Sequence, residues 1–102
     1  MSDLNKYSRQ SINQDDIDAV VAVLRSDFLT QGPVVEEFET EISNYVQSKF
    51  ACAVNSATSG LHMSLLALGV GSSDVVWTTC NTFVATVNSI LYCGARVELI
   101  DV

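Results

Sequence analysis

With one proline, one histidine and five basic residues in 102 positions, the sequence is short of the raw material for several classes of protein. Five lysines and arginines against twelve acidic residues give a net charge of −7, so there is no basic stripe to neutralise phosphates and nucleic acid is excluded as a partner. Cys52, Cys80 and Cys93 are an odd number without a C-x-x-C pair, which excludes a disulfide framework and a zinc knuckle. They read as reduced thiols serving as small buried hydrophobes. His62 has no cysteine or acid at ligand spacing, so no metal site is expected and the residue is assigned to helix surface or packing. The opening "MSDLNKYSRQ" lacks the apolar stretch of a signal peptide, and no later run nears the ~20 apolar residues of a membrane span. A cytoplasmic setting without membrane contact is expected. The scarcity of proline and a hydrophobic share of 48% exclude a disordered tail and leave one modest globular domain.

Two amphipathic helices open the chain. Asn13 is a candidate N-cap with Asp16 three positions later, and Ile17, Val20, Val21 and Leu24 fall at i, i+3, i+4 and i+7. After "SDFLTQG", Pro33 sits in the first turn of a second helix. Phe38, Ile42, Tyr45 and Val46 line one face of it, and Glu36, Glu37, Glu39 and Glu41 crowd the early turns where the helix dipole favours acids. Both helices are expected to pack on a surface.

From Phe50 the rhythm changes. "FACAV", "VVWTT" and "VELID" are short apolar runs, separated by helical patterns that end at Gly69 and Gly94. The order β-α-β-α-β predicts an open α/β sheet, mainly parallel, with flanking helices. Three strands make a thin sheet, and the sequence stops at Val102 directly after the third. The expectation is the N-terminal part of a longer protein, with a complete small α/β domain as the competitor.

In open α/β sheets ligands bind beyond the carboxyl ends of strands, where helix N-termini offer free N–H groups and a positive dipole. "NSATSG", residues 55 to 60, stands at such a junction, and Ser56, Thr58 and Ser59 add hydroxyls. It is neither G-x-G-x-x-G nor a P-loop. By spacing, a capped turn without ligand is the simpler reading and a phosphate cradle the other. The next junction, "TTCNTFVAT", carries Phe83, an aromatic that is either core or a platform for a planar ring.

Five segments in order, "YSRQSI", "LTQGPVVEEFE", "NSATSGLHMSLLALGVG", "TFVATVNSILYCGA" and "VELIDV", resemble the start of the DegT/DnrJ/EryC1/StrS sugar aminotransferases. The resemblance runs from about Tyr7 to Val102. It implies the large domain of a fold-type I enzyme, of the aspartate-aminotransferase fold, dependent on pyridoxal 5'-phosphate (PLP). Such an enzyme aminates a keto group on a nucleotide-linked sugar with an amino acid, usually glutamate. Tyr7, "RQSI", "LTQGP", "NSATS" and "VWTT" look most like the pseudaminic-acid branch, which acts on the C4 keto group of a UDP-linked 4-keto-6-deoxy-N-acetylhexosamine. The implied domain division is an N-terminal arm with two helices over 1–48 and an incomplete PLP-binding large domain over 49–102.

Carried over residue by residue, the resemblance puts the PLP phosphate on Ala57 and Thr58 and stacks Phe83 on the pyridine ring. Tyr7, Asp27, Phe28, Leu29, Thr30 and Ser56 line the sugar-nucleotide pocket. Gln31, Gly32 and Pro33 turn the chain into the second helix, Gly32 serving either a backbone conformation or close ligand approach. The Schiff-base lysine and the acid facing the pyridine nitrogen fall beyond Val102, so neither Lys6 nor Lys49 takes the lysine's part and these 102 residues alone are expected to be inactive. A homodimer is expected of the complete enzyme. Two departures stand out: "TTCN" replaces a common proline before "TF", and "SSDVV" replaces "PGDEV". The alternatives are a PMP-dependent sugar 3-dehydrase of the same family and a non-catalytic α/β module that binds a nucleotide or a partner protein.

Overall fold

The computed structural model describes residues 9–101. The chain divides between Ala53 and Val54 into two compact units. In the first unit, helix α1 (Gln14–Leu24) starts as its sequence predicts. The Asn13 side chain accepts from the Asp16 amide at 3.0 Å, and the Asp16 carboxylate accepts from the Asn13 amide at 2.9 Å. This reciprocal capping box satisfies two donors that helical geometry leaves unpaired.

Helix α2 (Pro33–Tyr45) carries Pro33 at its first position, where the missing N–H costs nothing. The connection into it is tight. Ser26 Oγ donates to the Val23 carbonyl at 2.8 Å and accepts from the Phe28 amide at 3.3 Å, folding the chain back on itself. The positive φ of this turn belongs to Gln31, at 52°, whereas Gly32 has an ordinary extended φ of −79°. A Cβ at Gly32 would lie 2.9 Å from the Phe28 Cβ and 3.2 Å from its carbonyl oxygen. Gly32 is therefore required by contact with Phe28, a third reason beside the two its sequence context suggests. The apolar stripes form as predicted, but no residue of α1 or α2 is buried, so the expected packing of these faces is not realised among the described residues.

One predicted element is corrected. "FACAV", residues 50–54, forms no strand. The Ala53 amide donates to the Glu39 carboxylate at 2.7 Å, a side-chain partner on α2 in place of a ladder carbonyl. The observed order is therefore α1, α2, α3 (Ala57–Ala67), β1 (Val75–Thr79), α4 (Val84–Tyr92), β2 (Arg96–Ile100).

The second unit contains the predicted parallel pairing. Val75 lies opposite Arg96, and the register runs to Thr79 opposite Ile100. The ladder is extended by the Arg96 amide on the Asp74 carbonyl at 3.0 Å and by the Cys80 amide on the Ile100 carbonyl at 3.3 Å. Gly69 and Gly94, at φ of 77° and 76°, close α3 and α4 in the left-handed conformation that glycine adopts without strain. The buried residues are Ala85, Ser89 and Ile90 on α4, with Ala95 leading into β2. Ser89 satisfies its hydroxyl on the Thr86 carbonyl at 2.9 Å. α3 packs against α4, and His62 meets Tyr92 edge-on with ring centroids 5.5 Å apart. His62 thus has the packing role expected of it.

Cys93 is half-buried, but Cys52 and Cys80 are exposed, contrary to the buried-hydrophobe reading. Both fall outside helix and strand, where no packed face covers a thiol. Among the described residues no cluster of acids, histidine and cysteines suits a metal ion, and no helix is long and apolar enough to cross a membrane.

Two stability outcomes follow. Asn13→Ala removes the side-chain half of the capping box, leaving the backbone amide of residue 13 on the Asp16 carboxylate, and is expected to destabilise the fold by about 1 kcal/mol, read from the urea midpoint. Gly32→Ala is expected to cost roughly 1–3 kcal/mol through the Phe28 clash. Gly71→Ala, where an added Cβ meets nothing within 4 Å, is the neutral control in the same denaturation series.

Candidate functional site

The second unit brings two helix mouths toward one edge. α4 links β1 to β2, so its N-terminus follows the carboxyl end of β1. α3 lies against α4 and runs into β1 through a short turn, and a Cβ at Gly94 would sit 3.8 Å from the Ser72 side chain. The C-terminal turns of both helices therefore gather where the strands begin, which directs both N-termini toward the edge where the strands end. Cys80 and Asp101 stand at that edge, the thiol 3.9 Å from the carboxylate.

"NSATSG" forms the mouth of α3. Ser56 is the N-cap, with extended backbone (φ −161°, ψ 156°), and its Oγ accepts from the Ser59 amide at 3.2 Å. The Gly60 amide returns to the Ser56 carbonyl at 3.1 Å. Ala57 and Thr58 occupy the first two helical positions, where no carbonyl is in reach, and among the described residues their amides have no acceptor. The Thr58 hydroxyl has none either. Two amides and one hydroxyl, all neutral, stand at the positive end of a helix dipole. This donor set suits a phosphate, whose oxygens only accept.

Phe83 is the N-cap of α4 and offers no side-chain cap. Its ring is 77% exposed, so it is not core and is free to serve as a platform. Cys80, in the "TTCN" where the family's common proline is missing, is exposed.

The sequence-derived residues divide between the units. Ser56, Ala57, Thr58 and Phe83 are in the second. Asp27, Phe28, Leu29 and Thr30 are in the first, in the connection between α1 and α2, with Phe28 and Leu29 61% and 65% exposed. Tyr7 lies outside the described residues. Sequence reasoning missed Asn55, whose side chain accepts from the Ser59 hydroxyl at 2.7 Å. An Asn immediately before a capping Ser is a signal that could have found it.

Comparison with known proteins agrees with this architecture. The chain is 48% identical over 96 residues to the UDP-4-amino-4,6-dideoxy-N-acetyl-beta-L-altrosamine transaminase of Campylobacter jejuni subsp. jejuni serotype O:23/36 (strain 81-176), covering 94% of this chain and 25% of that protein. It thus spans about a quarter of the length of the curated relatives it matches. A provisionally assigned sugar aminotransferase from Streptococcus pneumoniae, solved in its PLP form, superposes with a TM-score of 0.86 at 35% identity, over 90% of this chain and 24% of that one. The same protein has been solved in its PMP form, so the cofactor that the sequence resemblance implies is the one this relative carries. An aminotransferase from Psychrobacter cryohalolentis superposes with a TM-score of 0.84 at 36% identity, over 90% of this chain and 24% of that one. The α/β fold expected of the sequence, as part of a PLP-dependent transferase, is the fold of these neighbours. The model of the DegT/DnrJ/EryC1/StrS aminotransferase family matches residues 10–102, and with the helix-mouth donors and these relatives in agreement, the chain belongs to that family.

Proposed function

We propose that this chain is the cofactor-phosphate and sugar-binding segment of a PLP-dependent nucleotide-sugar transaminase. In this reading the enzyme aminates the 4-keto group of a UDP-linked 4-keto-6-deoxy-N-acetylhexosamine from an amino acid donor, L-glutamate, on the way to pseudaminic acid. The observation that carries the reading is the unpaired donor set of Ala57 and Thr58, in a segment 48% identical to a transaminase named for such a sugar. The dehydrase and the non-catalytic module draw no support from that relative.

When bound, PLP supplies the electron sink that lets an amino group pass between donor and keto sugar. The residues of this chain bind and orient. The Ala57 and Thr58 amides and the Thr58 hydroxyl hold the phosphate oxygens, and Phe83 stacks on the ring face. Asp27, Phe28, Leu29 and Thr30, with Tyr7 and Ser56, line the sugar-nucleotide pocket, with exposed apolar surface on Phe28 and Leu29 for the sugar's deoxy carbon and nucleobase. The reading carries with it the homodimer and the cytoplasmic setting expected from the sequence.

Carried to the length of its relatives, the protein is expected to show a visible absorbance band with PLP that L-glutamate bleaches and that the keto sugar nucleotide restores. A spectrum indifferent to both would overturn the reading. Thr58→Ala is expected to raise the PLP dissociation constant roughly ten- to hundredfold, the worth of one hydrogen bond to a charged group. The urea midpoint should barely move, because the Thr58 hydroxyl has no partner within the described fold.

A further inference from the structure

The hydrogen bonds around Asn55 concern a residue with no role in the site as drawn so far. Asn55 Oδ1 accepts from Ser59 Oγ at 2.7 Å and from Ser56 Oγ at 3.4 Å. The two hydroxyl oxygens are 3.0 Å apart, and Ser56 Oγ also accepts from the Ser59 amide at 3.2 Å. Counting protons decides what this ring does. The Ser59 hydroxyl has one proton and spends it on Asn55 at the shortest distance of the set. The Ser56 hydroxyl has one proton and, within its ring, only Asn55 or Ser59 Oγ to receive it. Both serine hydroxyls and the Ser59 amide are thus consumed within the chain, and the donors left over at this helix mouth are those of Ala57 and Thr58.

We infer that Asn55 is the positioning residue of the phosphate loop. It draws the Ser59 hydroxyl inward, which keeps Ser56 in its capping rotamer and presents the first two helical amides and the Thr58 hydroxyl as one ordered donor group. The inference rests on the PLP reading given above. Without the Asn55 acceptor, Ser59 Oγ is free to turn outward and Ser56 Oγ loses a partner, so the cap that orders the two amides loosens. The effect acts on the phosphate and passes over the rest of the cofactor.

The test measures PLP and pyridoxal binding to the protein at the length of its relatives. Asn55→Ala and Ser59→Ala should each raise the PLP dissociation constant roughly three- to tenfold, one neutral hydrogen bond's worth. The double variant should fall well short of the product of the two single effects, because the short Ser59–Asn55 bond is lost in both. Ser59→Thr, which keeps the hydroxyl, should restore PLP binding, and pyridoxal, which lacks the phosphate, should bind all variants alike. Unchanged PLP binding in Asn55→Ala, or equal weakening of PLP and pyridoxal, overturns the positioning role alone. A wild-type protein that binds no PLP brings down the reading of the site itself, and the positioning role with it.

Discussion

Parallel strands cannot be joined by a tight turn, and the second unit is organised around that constraint. β1 and β2 pair in register only because α4 carries the chain back between them. The buried residues fall where this crossover meets its neighbours. Ala85 and Ser89 are small enough to allow close approach, Ile90 is 2% exposed and fills the gap, and Ala95 leads into β2. Once α4 is seated, its N-terminus must stand at the carboxyl end of β1, and Phe83 is placed there by topology. α3, packed on α4, brings its own N-terminus toward the same edge. The candidate site is thus a by-product of covering two strands.

Signals that act within a few residues were legible in the sequence. The Asn13–Asp16 box, Pro33 at a first helical position, and Gly69 and Gly94 past two helix ends each settle a boundary through local hydrogen bonds or φ alone. "VVWTT" became a strand residue for residue, and the following run shifted by one, to Arg96–Ile100. "FACAV" shows the limit of such signals. An apolar run is a strand only if a ladder partner stands beside it, and here the Ala53 amide turns to a carboxylate fourteen positions back. No periodicity encodes that. Exposure was equally out of reach, since whether Cys52 or Cys80 is covered depends on neighbours far along the chain.

The site was legible in two stages. Spacing alone left "NSATSG" open between a capped turn and a cradle, because the same small polar residues make both. Which donors there are spent and which are left over is a matter of hydrogen-bond accounting, and that needs coordinates. Ser56 and Ser59 are spent on each other and on Asn55, while Ala57 and Thr58 keep the free amides of any helix N-terminus and the Thr58 hydroxyl beside them has no partner among the described residues. Gly32 shows the same lesson in steric form. Its sequence context suggests a special conformation, but its φ is ordinary and the reason is the Phe28 side chain four residues earlier.

No lysine or arginine occurs between Lys49 and Arg96, so the helix mouth that we assign to a phosphate lies in a long stretch without a cation. What this segment contributes to holding a dianion is dipoles and hydrogen bonds fixed in direction, and these are shaped for a tetrahedral cluster of acceptors. Mobile salt screens point charges well and short directional contacts poorly. The grip proposed here is therefore one of direction, less sensitive to ionic strength than an exposed ion pair, and it leaves any balancing of the ligand's charge to residues elsewhere.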